Sequence, residues 1–130
     1  MSVLVVDDEP DIREVIEIAL SVHGYEVTTV TSGEECMRFL RDRERPSVIL
    51  LDLMMPEMSG WEVCRQLSND PALSTIPIVI LTGGNATAES CPGATTVLRK
   101  PIQLERLIEV IARHAGPPCA PALSQQSMPS

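Results

Sequence analysis

Three apolar runs in this chain lead into groups that can do chemistry. "SVLVV" runs into Asp7, Asp8 and Glu9; "SVILL" ends on Asp52; "IPIVIL" ends on Thr82. A shorter run, "TTVL", is followed by Arg99, Lys100 and Pro101. Carboxylates gathered within a few ångströms repel one another, so they stay ionised together only when a cation joins them. Oxygen donors with room for water suit Mg²⁺, which prefers octahedral geometry and keeps several waters. A carboxylate at the centre of such a cluster can act as a nucleophile towards phosphorus and form an aspartyl phosphate. The metal, the Lys100 ammonium and the Thr82 hydroxyl would then neutralise charge on the phosphoryl oxygens. Taken singly, each group has a plainer explanation. Acids at strand ends are often polar residues leaving the core, Thr82 could cap a turn, and Lys100 could be a surface charge. The specific signal is the joint pattern in this order.

That chemistry requires the elements to deliver all four run ends to one place. "SVLVV" reads as a buried strand, and Ile12, Val15, Ile16 and Ala19 recur at helical spacing behind Pro10, up to a stop at Gly24. "YEVTTV" is a more polar strand, suited to a sheet edge. Ser32 with Glu35 forms a capping box for a helix whose apolar side carries Cys36, Phe39 and Leu40. After "SVILL", Ser59 with Glu62 repeats the capping pattern ahead of Val63, Cys64 and Leu67. "IPIVIL" and "TTVL" supply two more strands, and Leu104, Leu107, Ile108 and Ile111 mark a last helix closed by Gly116 and Pro117. Strands alternating with helices imply crossover connections and a parallel sheet covered on both faces. In such a sheet, ligands sit beyond the carboxyl ends of the strands, which is where all of these groups stand.

Composition sets the outer bounds. At 130 residues the chain is sized for one core, and its 2% aromatic content leaves Val, Ile and Leu to build it. A net charge of −8 argues against a nucleic-acid footprint, which needs a clustered basic face; the basic stretch from Arg38 to Arg45 is interleaved with Asp42 and Glu44 and reads as a solvated helix end. Cys36, Cys64, Cys91 and Cys119 form no CxxC pair, and no histidine stands at ligand spacing to them, so a zinc site is not expected. His23 and His114 lie near helix ends, where a charge–dipole contact suffices. "MSVLVVDDEP" has no signal-peptide pattern and no apolar run reaches transmembrane length. The expected setting is the cytoplasm, with reduced thiols and no membrane contact. The expected division is a folded domain over 1–116 and a Pro/Ser/Ala-rich tail or linker root, "PPCAPALSQQSMPS", over 117–130.

Together, "VLVVDDEP", "VILLDLMMPEMSG", "PIVILTG" and "LRKP" resemble the response-regulator receiver domain of two-component signalling, over about residues 2 to 115. The resemblance implies a flavodoxin-like, doubly wound five-stranded parallel sheet in order 2-1-3-4-5, with helices on both faces. It implies that Asp52 is the phosphoacceptor, Asp8 a direct Mg²⁺ ligand, and Asp7 the acid that holds a metal-bound water. The backbone carbonyl of Met54 would be a further metal ligand. Thr82 matches the hydroxyl that bonds the phosphoryl group, Lys100 the lysine that pairs with it, and the Lys100–Pro101 bond would be cis. The implied partners are a sensor histidine kinase or phosphotransfer protein upstream and an effector protein or fused output domain downstream. Ile12 is expected as the exposed kinase anchor on the first helix, Val15 as equally placed for core or surface.

The sequence also departs from the pattern. Val97 stands where the family usually has Tyr or Phe three residues before the Lys-Pro pair, and Gly83–Gly84 follow Thr82. "GGNATAESCPG" is shorter than usual and has almost no apolar period, so a shortened fourth helix or a loop is expected there. With no ring to turn, activation would work by ordering this segment around the phosphorylated site. The reading is a signalling switch, not an enzyme in the usual sense. The alternatives are a pseudo-receiver acting without phosphate, against which the intact site residues argue, and a small phosphatase of the haloacid dehalogenase type, against which the lack of a DxD pattern argues.

Overall fold

The structure, a computed structural model, describes residues 2–42, 45–53, 60–83 and 94–115. Its elements alternate: β1 (Ser2–Val6), α1 (Pro10–Val22), β2 (Glu26–Val30), α2 (Gly33–Asp42), β3 (Val48–Asp52), α3 (Gly60–Ser68), β4 (Ile78–Thr82), β5 (Ala94–Arg99) and α4 (Leu104–Ala115). All strands are parallel, in the order β2-β1-β3-β4-β5. The two central runs, β3 and β4, are buried at every residue, as a strand covered on both faces must be. β2 lies at an edge and alternates exposed and covered positions.

Side chains alternate between the two faces along each strand, and this divides the core. Leu4, Val6, Ile49, Leu51, Ile78 and Ile80 pack with Cys36, Met37 and Leu40 of α2 and Val63, Cys64 and Leu67 of α3. Val3, Val5, Val48, Leu50, Val79 and Leu81 pack on the other face with Ile16 and Leu20 of α1 and Leu107, Val110 and Ile111 of α4. Cys36 and Cys64 are buried, and burial pushes the Cys36 thiol up to about 12. They behave as small apolar side chains.

Local signals hold where they can be checked. Gly24 takes a positive φ of 92° after α1, the left-handed conformation that glycine accepts at low cost. Glu35 N–H donates to Ser32 Oγ at 3.1 Å, one half of the expected capping box. The Glu35 carboxylate goes instead to Thr31, accepting from its N–H and its hydroxyl at 2.6 Å each, and these bonds lower its pKa. Glu62 pairs with Arg65 and accepts from Gln66 at 3.1 Å; its expected partner Ser59 lies outside the described residues. His23 Nδ1 sits 2.9 Å from the Ala19 carbonyl, and His114 Nε2 sits 2.9 Å from Thr96 Oγ1, so each histidine has a hydrogen-bond partner beyond any dipole contact.

One expectation is reversed. Ile12 is half-buried and packs against the α1–α4 side of the core, while Val15 is 48% exposed and Ile18 58%. The helix is rotated so that Ile16 and Leu20 point at the sheet, which carries Ile12, one turn earlier, towards the same side. The expectations for the segment after Gly83 and for the tail over 117–130 fall outside the described residues. Val97 is half-buried against the α2–α3 side of the core. Among the described residues no helix is long and apolar enough to cross a membrane.

Gly60, at the start of α3, lies hard against the backbone at the end of β3. A Cβ there would lie 2.5 Å from the Asp52 carbonyl oxygen and 2.6 Å from Leu53 Cα, and Gly60 N–H donates to the Leu53 carbonyl at 3.1 Å. Backbone atoms cannot step aside as a flexible side chain can. Gly60→Ala is therefore expected to destabilise the fold by about 1–3 kcal/mol, the scale of overpacking, as read by urea denaturation, and to disturb the strand end that carries Asp52.

Candidate functional site

The register explains why the acids meet. β1 pairs with β3 so that Val6 faces Leu51, and one further step puts Asp7 beside Asp52. β3 pairs with β4 so that Asp52 faces Leu81, and Thr82 follows. β4 pairs with β5 so that Thr82 faces Arg99, and Lys100 N–H donates to the Thr82 carbonyl at 2.8 Å. Lys100 is thus fixed by its own backbone at the end of the sheet, next to the cis bond to Pro101.

From there its side chain reaches three acids. The Lys100 Nζ lies 2.8 Å from Glu9 Oε1, 3.2 Å from Asp7 Oδ2 and 3.5 Å from Asp52 Oδ2. Partial burial works to lower the Lys100 pKa, but the Glu9 hydrogen bond and the charges of Asp52 and Asp7 outweigh it and hold the ammonium above the usual lysine value. Asp7 is fully buried, and Asp52 and Thr82 are 2% exposed. The Asp7 loop is pinned from two sides. Glu9 N–H donates to Asp7 Oδ1 at 2.8 Å, and the Arg13 guanidinium donates to the Asp7 carbonyl at 2.8 Å.

Carboxylate oxygens of Asp7, Asp8 and Asp52 lie within 4.8 Å of one another. Buried Asp7 Oδ2 has the Lys100 ammonium 3.2 Å away as an ion-pair partner and, among the described residues, no further hydrogen-bond partner. Such an atom is costly to withdraw from water unless something else meets it. A donor set made only of carboxylate oxygens, with one member half-exposed and so able to admit water, fits a hard divalent cation.

The family profile described as "Response regulator receiver domain" matches residues 3–112. The chain belongs to that family. The receiver is 39% identical over 123 residues to the probable transcriptional regulator ycf27 of Porphyra purpurea, covering 87% of this chain and 48% of that protein. It is 38% identical over 112 residues to the response regulator MprA of Mycobacterium leprae, covering 83% and 48%. The chain therefore spans about half the length of the curated relatives it matches. Among solved structures it is similar to the chemotaxis protein CheY4 of Vibrio cholerae, with 31% identity, a TM-score of 0.78, and coverage of 87% of this chain and 97% of that one. It is also similar to the receiver domain of sensor histidine kinase PA1611 from Pseudomonas aeruginosa, solved with a magnesium ion in its active-site cleft, with 28% identity, a TM-score of 0.79, and coverage of 88% and 97%.

Of the residues singled out in the sequence, Asp7, Asp8, Asp52, Thr82 and Lys100 stand together at this end of the sheet, and Met54 lies outside the described residues. Glu9 and Arg13 were given no role, although both hold the site. Glu9 was visible as the third acid of a run, but its 2.8 Å contact with Lys100 spans 91 positions of sequence, and no local pattern encodes that.

Lys100→Met keeps the stem and removes the cation, leaving Asp7 and Asp52 without their ammonium. It is expected to lower the unfolding free energy near neutrality by about 1–3 kcal/mol, below the range for a fully buried pair because Glu9 and the lysine head are partly solvated. The sign with pH is fixed by the raised lysine pKa. The stabilisation is complete below the unfolded value of 10.5 and is lost as pH rises through the higher folded value. Urea titrations of both proteins should therefore diverge at neutrality and converge in strong base.

Proposed function

We propose that this receiver accepts a phosphoryl group on Asp52 from the phosphohistidine of a sensor histidine kinase or phosphotransfer protein. The observation that carries this reading is the Asp7–Asp8–Asp52 cluster with the Lys100 ammonium 3.5 Å from Asp52 Oδ2. An Asp52 carboxylate oxygen attacks phosphorus, an O–P bond forms, and the P–N bond of the donor breaks with its electron pair leaving on the imidazole nitrogen. Lys100 moves from its carboxylate partners to a phosphoryl oxygen, and the Thr82 hydroxyl donates to another. Both groups supply positive potential where charge is spread over the transferring group. Asp8 and Asp52, with the Met54 carbonyl, would hold a Mg²⁺ ion, and Asp7 would hold one of its waters; the ion supplies charge neutralisation for the phosphoryl oxygens. Burial of Asp52 and Thr82 keeps the acceptor out of bulk water.

The same reading makes the chain a signalling switch and not an enzyme that turns over an external substrate. Its output lies with an effector or with a further domain of a longer protein. The relatives twice its length that are named as transcriptional regulators support the second arrangement. The cytoplasm, where ATP-driven kinases work, is the compartment this chemistry requires.

Asp52→Asn keeps the shape of the side chain and removes the nucleophile. Incubated with acetyl phosphate and Mg²⁺, the unsubstituted protein is expected to gain the mass of one phosphoryl group and Asp52→Asn none. Equal labelling of the two would place the acceptor elsewhere.

The kinase is expected to reach the site across the exposed face of α1. Val15, Ile18 and Val22 are its outward apolar residues, so Val15→Asp should slow transfer from a cognate kinase by about tenfold, the loss of one interface anchor. Transfer from acetyl phosphate, which touches no docking surface, should keep its rate. Stopped-flow or radiolabel kinetics with both donors separate the two effects.

A further inference from the structure

Glu9 is the one acid of the "DDE" run that the phosphotransfer reading leaves without work. It precedes α1 with the extended backbone usual for an N-cap (φ −91°, ψ 114°), but its side chain makes no capping hydrogen bond. A negative charge there is favoured by the free N–H groups and dipole of its own helix. Here the carboxylate turns away and meets Lys100 instead, at 2.8 Å, the shortest of the lysine's three ion pairs. The backbone of Glu9 is held for the purpose. Its N–H donates to Asp7 Oδ1 at 2.8 Å and its carbonyl accepts from Arg13 N–H at 3.1 Å. The contact joins the end of the first strand to the end of the fifth, and Glu9 is its exposed member, with 57% of the side chain open to solvent.

We infer that Glu9 parks Lys100 at the mouth of the acidic site and must release it before the ammonium can serve an incoming phosphoryl group, so that Glu9 sets the rate at which Asp52 is charged. The inference rests on the phosphotransfer reading and adds to it a positioning residue that touches neither phosphorus nor the acceptor. The chemistry is a competition for one cation. Lys100 in its resting place is shared by Glu9, Asp7 and Asp52, and a transferring phosphoryl group needs that same ammonium. A partner at the solvent edge costs least to break, because water replaces it. Glu9 also adds a negative charge where a phosphate donor, itself an anion, must enter.

The test uses the whole chain and two readouts. With no metal and no phosphodonor, the ¹⁵N signal of the Lys100 ammonium is recorded in the unsubstituted protein, in Glu9→Gln and in Asp11→Asn. Asp11 is an exposed acid in the first turn of α1, so its substitution changes net charge by the same amount without touching the ion pair. Glu9→Gln is expected to shift the Lys100 signal and speed its proton exchange, and Asp11→Asn to leave both unchanged. In the second readout, acetyl phosphate with Mg²⁺ labels Asp52, and Glu9→Gln should be labelled about two- to fivefold faster, the effect of removing one partly exposed ion pair, while Asp11→Asn changes little. A Lys100 signal that ignores Glu9→Gln, or labelling of Glu9→Gln and Asp11→Asn at the same rate, overturns the inference and leaves the phosphotransfer reading standing. No labelling of the unsubstituted protein overturns that reading, and the inference with it.

Discussion

Asp7 and Asp52 stand almost wholly out of water, and the ammonium of Lys100 is the cation set between them. The rest of the structure serves that arrangement. Two carboxylates at the end of adjacent strands, with nothing beside them, would repel each other and cost several kcal/mol to desolvate. One ammonium cannot satisfy both and Glu9 as well, which leaves the cluster short of positive charge. A cluster in that condition suits a divalent cation, and the proposed function draws on that.

Holding Lys100 in place takes the whole width of the sheet. Its backbone is tied to Thr82 on β4, while its side chain crosses to groups at the end of β1 and β3. Two apolar layers keep those three strand ends level. α2 and α3 close one face and α1 and α4 the other. Because a shift of one residue would turn every side chain to the opposite face, the fully buried β3 and β4 fix the register, and the register fixes which residues emerge at the top. The close approach of Gly60 to the Asp52–Leu53 backbone adds a second clamp behind Asp52.

α1 has a different task on each side. Ile16 and Leu20 are buried against the sheet, and Ile12 leans on the same core. Val15, Ile18 and Val22 face outward, with 48%, 58% and 77% of their surface exposed. An apolar stripe on the solvent side of a helix that begins at the site is the kind of surface a protein partner covers. Its place on the helix that begins beside the acidic cluster supports the proposed route of the donor.

Much of this is legible in the sequence. The apolar runs, the Gly24 stop and the alternation of strand and helix determined a parallel α/β sheet, because burial on both faces forces continuous Val, Ile and Leu and crossover helices. The positions of Asp7, Asp8, Asp52, Thr82 and Lys100 at the ends of those runs determined a candidate site, because strand ends in such a sheet share one edge. The rotation of α1 was beyond reach. Ile12 and Val15 both belong to one i, i+3, i+4 pattern, and only packing against α4 and the sheet decides which of them faces water. The side-chain choice of Glu35, which takes Thr31 in place of closing the box on Ser32, turned on local geometry finer than the motif. The Glu9–Lys100 pair was hidden for the strongest reason. Sequence separates its members by 91 positions, and only the closing of the sheet, from its first strand to its fifth, brings a carboxylate and an ammonium to 2.8 Å.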